Sequence, residues 1–201
     1  MGYRMKKETL PIFLTFLVMG VADAMGPMSD AVKQQYALDN VISTLLPFFV
    51  FIAFAVFSVP GGLLATRIGK KNLLLLGLGL NVAAMIVPTV FDPGFALLLG
   101  GIFILGVGTT FLQVAGNPIM RDVSSEGQYS RNLALAQGIK GLGSSGSAYL
   151  VGLVMILPLF SNMGWRGAFP VFFAFMAISF AAVATLKIKE TKPEAPPSIG
   201  S

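Results

Sequence analysis

Residues 10–31 read LPIFLTFLVMGVADAMGPMSDA. As a helix rising about 1.5 Å per residue, this stretch can cross a hydrocarbon core about 30 Å thick. Two features separate it from a plain anchor. Asp23 stands near its middle, and Gly26-Pro27 predicts a break just after the acid. An ionised carboxylate at membrane depth costs at least ~2.5–3.5 kcal/mol, so a partner or a task is expected of it. One other ionisable residue lies deep within an apolar segment, and it has the opposite sign: Lys140.

The rest of the chain extends this reading. Of its 201 residues 55% are hydrophobic and only 11% are charged, against about 25% charged in an ordinary soluble domain. Six apolar segments can be cut at charged or turn-rich borders: 10–31, 41–65, 73–91, 95–120, 133–160 and 167–186. Each is near the ~20 residues a spanning helix needs, and the runs are continuous where a barrel strand would alternate over ~9–11 residues. The expected fold is therefore an all-α integral membrane bundle over residues 10–186, with an N-terminal segment 1–9 and a Pro-rich tail or linker start at 187–201.

Basic residues orient it. With the N-terminus in the cytoplasm, Arg4, Lys6, Lys7, Arg67, Lys70, Lys71, Arg121, Arg131, Lys187, Lys189 and Lys192 fall on the cytoplasmic side. Lys33 and Arg166 fall outside. The positive-inside rule thus places both termini in the cytoplasm of a multi-pass protein of the inner membrane. It also accounts for the net charge of +5, which removes the case for nucleic acid. Trp165, opening the sixth segment, is expected at the outer interface, where its amphipathic ring is favoured. No clear cleavage site follows the first segment, so it is not read as a leader.

Chemistry narrows next. The chain has no Cys and no His, so thiol chemistry and the commonest metal ligand and general base are missing. No nucleophile–base pair, metal cluster or cofactor motif is visible; an enzyme is not expected. The Gly/Ser-rich run 138–148 lacks P-loop spacing and reads as helix-packing surface.

Between the second and third segments the chain reads Gly62-Leu63-Leu64-Ala65-Thr66-Arg67-Ile68-Gly69-Lys70-Lys71. This resembles the Gly-x-Leu-Ala-Asp-Arg-x-Gly-Arg-Lys loop of the major facilitator superfamily, with Gly62, Arg67, Gly69, Lys70 and Lys71 matching and Thr66 where the family has Asp. The fourth segment closes on Gln113-Val114-Ala115-Gly116-Asn117-Pro118 and the fifth opens on Asn132-Leu133-Ala134-Leu135-Ala136-Gln137. These resemble the Glu-Thr-Ala-Ala-Asn-Pro and Asn-Leu-Ala-Gln runs of the fucose–proton symporter family. The resemblance implies the N-terminal six-helix half of a twelve-helix sugar–proton symporter. It places Gln113 where the family has a membrane glutamate, so a transported proton would need another carrier, and Asp23 is the acid in place. Asn117-Pro118 reads either as a helix end or as a solute contact.

Depth relates the two membrane charges. Counted from the cytoplasmic ends of their segments, Asp23 lies ~21 Å and Lys140 ~17 Å into the bilayer. The pair is therefore expected to meet, with Gln113, Asn117 and Gln137 nearby as the solute and coupling site. The expected partners are the lipid bilayer, a sugar-like solute, protons and a second six-helix half, covalent or as a homodimer. The alternative is a truncated membrane module that transports nothing and assembles with a partner half.

Overall fold

The computed structural model describes residues 7–160 and 162–191; Arg4, Lys6, Lys192 and most of the expected tail lie outside the described residues. Among the described residues six helices are long and apolar enough to span a membrane: α1 (Thr9–Tyr36), α2 (Leu45–Ile68), α3 (Lys70–Val90), α4 (Phe95–Val123), α5 (Tyr129–Ile156) and α6 (Gly164–Ala184). Among the described residues there is no strand. The connections are short, so successive helices run antiparallel. The α2–α3 turn and the residues after α6 share one end of the bundle, here the basic end.

α1 and α4 are the most enclosed elements. Ile12, Ala24, Met25, Met28 and Val32 of α1, and Leu105, Leu112, Ala115 and Ile119 of α4, are fully buried. α5 packs along α1, α2 along α4, and α3 lies between α4 and α6. α2 and α5 keep their other sides exposed through large apolar residues, among them Phe51, Val59, Leu63, Leu142 and Tyr149. Such a surface is stable only against lipid or another protein.

The break in α1 is not at Gly26-Pro27. The helix tightens earlier, into a 3-10 turn over Gly20–Ala24, and resumes at Met25–Tyr36. Pro27 sits in the first turn of that second half, where an amide donor is missing at little cost. Close approach to α5 accompanies the turn. A Cβ on Gly20 would lie 2.4 Å from Ser144 N, and one on Gly143 would lie 2.2 Å from Leu17 O. The two backbones therefore touch, as small residues permit in membrane bundles.

Asn117-Pro118 does not end α4, which continues to Val123. Pro118 removes one helical donor without stopping the helix. Buried polar pairs, which hydropathy does not reveal, tie the interior together. Asn81 Nδ2 donates to Thr109 Oγ1 at 3.3 Å between α3 and α4, and Thr15 and Ser179 hydroxyls meet at 3.2 Å between α1 and α6. Such bonds contribute about 0.6 kcal/mol each on average in a membrane bundle.

Candidate functional site

The 3-10 turn of α1 presents Asp23 on an exposed face of the bundle. Asp23 Oδ2 accepts a hydrogen bond from Ser144 Oγ at 2.5 Å, and the same hydroxyl lies 3.2 Å from the Lys140 carbonyl oxygen. One turn nearer the basic end of α5, Lys140 is half-buried. Further along, Gln137 Nε2 donates to Asn117 Oδ1 at 3.1 Å, joining α5 to α4. Gln113 is half-buried four residues before Asn117, a spacing that puts both amides on one side of α4. The five residues read from the sequence thus lie on three neighbouring helices, with Gln137, Lys140 and Ser144 at i, i+3 and i+7 along α5.

The expected Asp23–Lys140 ion pair is not made. Among the described residues the salt bridges are Lys70–Asp122 and Arg166–Asp92, at opposite ends of the bundle. The reason is register. Gly20 against Gly143 and Ser144 sets the height of α1 on α5, and at that height Ser144 faces Asp23. Lys140 is four residues away, about 6 Å along the axis. Ser144 was hidden within a run read as packing residues; its spacing of one turn from Lys140 was the available signal.

At the basic end, Gly69 adopts φ +89°, a conformation that favours glycine. Its missing side chain also leaves room for Glu190, whose Oε2 would lie 3.0 Å from a Cβ there. Glu190 accepts from the amides of Lys70 at 2.7 Å and Lys71 at 2.9 Å, so a carboxylate from beyond α6 caps the first turn of α3. Lys70 Nζ pairs with Asp122 Oδ2 at 2.6 Å, with side chains 14% and 1% exposed. Lys71 Nζ donates to the carbonyls of Ala184 and Leu186, satisfying the end of α6. Among the described residues Thr66 bonds within its own helix, to Leu63 O. Arg67 is exposed and Gly62 is half-buried on α2. The turn is thus held by acids that the loop motif does not contain.

At the opposite end, Gln35 and Tyr36 of α1 donate to Asp92, and Arg166 Nη1 reaches Asp92 Oδ2 at 3.3 Å. Trp165 is enclosed by protein and does not present its ring to lipid. It is 5% exposed, stacks edge-on against Phe169 and donates to Gln35 Oε1 at 2.7 Å. The indole finds its hydrogen-bond partner inside the protein. Among the described residues no cluster of His, Cys, Asp or Glu could hold a metal ion.

Comparison with known proteins accords with this architecture. The chain matches the Major Facilitator Superfamily over residues 12–201. It is 30% identical over 158 residues to a glucose/galactose transporter of Brucella abortus, covering 78% of this chain and 37% of the relative. It is 26% identical over 114 residues to the L-fucose-proton symporter of Escherichia coli, covering 56% and 26%. A solved structure of the E. coli fucose:proton symporter superposes with a TM-score of 0.68 at 17% identity, over 93% of this chain and 52% of that one. A peptide transporter, POT, superposes with a TM-score of 0.73 at 18% identity, over 89% and 37%. The fold therefore accommodates more than one class of solute, and the chain spans little more than a third of the glucose/galactose transporter's length. Its six spanning helices and this match show that the chain belongs to the Major Facilitator Superfamily and has the architecture of one six-helix half.

Proposed function

We propose that the chain is the N-terminal half of a secondary transporter of the bacterial inner membrane, carrying a small sugar-like solute together with a proton, with both ends of the six-helix unit in the cytoplasm. The observation that carries this reading is that Asp23, Gln113, Asn117, Gln137 and Lys140 lie on three packed helices, α1, α4 and α5, which hydrogen bonds join at Gln137–Asn117 and Ser144–Asp23. Polar groups at mid-membrane on neighbouring helices mark a solute pathway. The names of the sugar-transporting relatives support the solute class. With Gln113 unable to carry a proton, Asp23 is the acid on this face that can. Alternating access needs two bundles around a shared site, so a second half, covalently joined or a second copy, would close the face. The exposed apolar sides of α2 and α5 also suit a second reading, a module that assembles with a partner half and transports nothing itself.

The test uses the full protein in membrane vesicles, a panel of radiolabelled neutral and acidic sugars, and an imposed pH gradient. The wild type should accumulate one of them above equilibrium. Asp23→Asn should still exchange it but no longer accumulate it. Unaltered accumulation by Asp23→Asn removes this acid from coupling, and no uptake of any sugar by the wild type favours the second reading.

A further inference from the structure

Lys140 places a positive charge on the polar face, and among the described residues no carboxylate lies within salt-bridge distance of it. Neither salt bridge among the described residues involves it, and the acid on its own face, Asp23, is bonded to Ser144. A cation at membrane depth is normally paired or lines a pathway for something that pairs with it. The neighbouring amides have capacity to spare. With Gln137 Nε2 donating to Asn117 Oδ1, Gln137 Oε1 can still accept and Asn117 Nδ2 can still donate, which suits hydroxyl groups.

Charge balance then separates solute classes, on the proton-coupled reading proposed above. On this half the empty face carries one negative group, Asp23, and one positive group, Lys140, and is neutral overall. With a proton on Asp23 and a neutral hexose bound, the face would carry an uncompensated positive charge. With a proton on Asp23 and a monoanion bound, it is neutral again. Because an unpaired charge withdrawn from water is costly, the cycle that is neutral both empty and loaded is favoured.

We propose that the solute is a monocarboxylate sugar acid, of the hexuronate or aldonate class. Its carboxylate pairs with Lys140 Nζ and its hydroxyls bond to Gln137, Asn117 and Gln113. The proposal is specific to Lys140 and does not follow from the names of the sugar-transporting relatives, which describe neutral sugars.

Binding to the full protein in detergent tests it. Labelled D-galacturonate would be displaced by D-glucuronate, D-galactose and D-glucose in separate series. The acids should compete at concentrations about tenfold or more below those of the neutral sugars. Lys140→Arg should keep that preference, whereas Lys140→Gln should lose it. If the Gln variant does not fold, the wild-type competition series and the Arg variant still decide the question. Neutral sugars binding the wild type as tightly as the acids would overturn the proposal and leave sugar transport standing, as would a preference unchanged in Lys140→Gln. In that case the counter-charge of Lys140 belongs to the protein's other half. Binding of neither class would overturn the sugar reading itself along with this one.

Discussion

Replacing Gly20 by Ala tests the packing that places Asp23. The new Cβ would lie 2.4 Å from Ser144 N, 2.5 Å from Lys140 O and 2.6 Å from Gly143 C. All three are backbone atoms of α5, so no rotamer change can relieve them. Carbon contacts are comfortable at about 3.5–4.0 Å, so α1 and α5 must separate by roughly 1 Å. Ser144 Oγ and Asp23 Oδ2, now 2.5 Å apart, would then reach the limit of a hydrogen bond. Overpacking of this kind costs about 1–3 kcal/mol. Gly143→Ala attacks the same contact from the other side, 2.2 Å from Leu17 O, so the two effects should combine less than additively. Gly100→Ala and Gly152→Ala are the controls. Nothing lies within 4 Å of either position, and Ala is favoured over Gly in a helix by up to about 1 kcal/mol. Thermal or denaturant unfolding of the purified protein in detergent measures all four. Gly20→Ala as stable as the two controls would refute the backbone contact and the register built on it.

Three further outcomes are expected. Asp122→Ala strands Lys70, whose side chain is 14% exposed, and should cost about 3–5 kcal/mol, the range for breaking a buried pair from one side; adding Lys70→Met should recover most of it, and no recovery in unfolding measurements would count against the pair. Glu190→Ala removes the cap on α3, with an expected loss of about 1 kcal/mol and faster tryptic cleavage after Lys187 and Lys189; an unchanged cleavage rate would show that Glu190 does not hold this segment. Single cysteines at Arg67 and Asp92, both exposed in a Cys-free chain, should label from opposite sides of the membrane in intact cells, and labelling of both from outside would sink the six-helix topology.

Much of the fold was legible because a bilayer imposes a one-dimensional rule: a backbone in hydrocarbon must satisfy itself, so spans appear as apolar runs of helical length. The six segments were found in order, with borders within five residues of the spanning helices. The largest offset is at the end of α1, where the helix runs on past Ala31 to Tyr36. The glycine and lysine pattern of the α2–α3 turn was also local, and its close match to the family loop needed no tertiary information. The candidate site was legible as a set of polar residue types at helical spacing and comparable depth.

Partners within that site were not legible, because depth estimates carry errors comparable to one helical turn, and one turn is the difference between Ser144 and Lys140 opposite Asp23. Two glycines decide the matter by letting α1 and α5 touch at one height. The break in α1 likewise follows that contact, while Pro27 falls harmlessly in a first turn. Glu190 capping a helix that begins 120 residues earlier depends on how the segment after α6 crosses the basic end, and no local pattern records it. From the sequence alone came the apolar lengths, the charge asymmetry and the chemical types that a membrane would tolerate only for a purpose. Tertiary structure decided which of those groups meet, because hydrogen bonds and ion pairs are made or lost over about 1 Å, a scale set by the packing of whole helices.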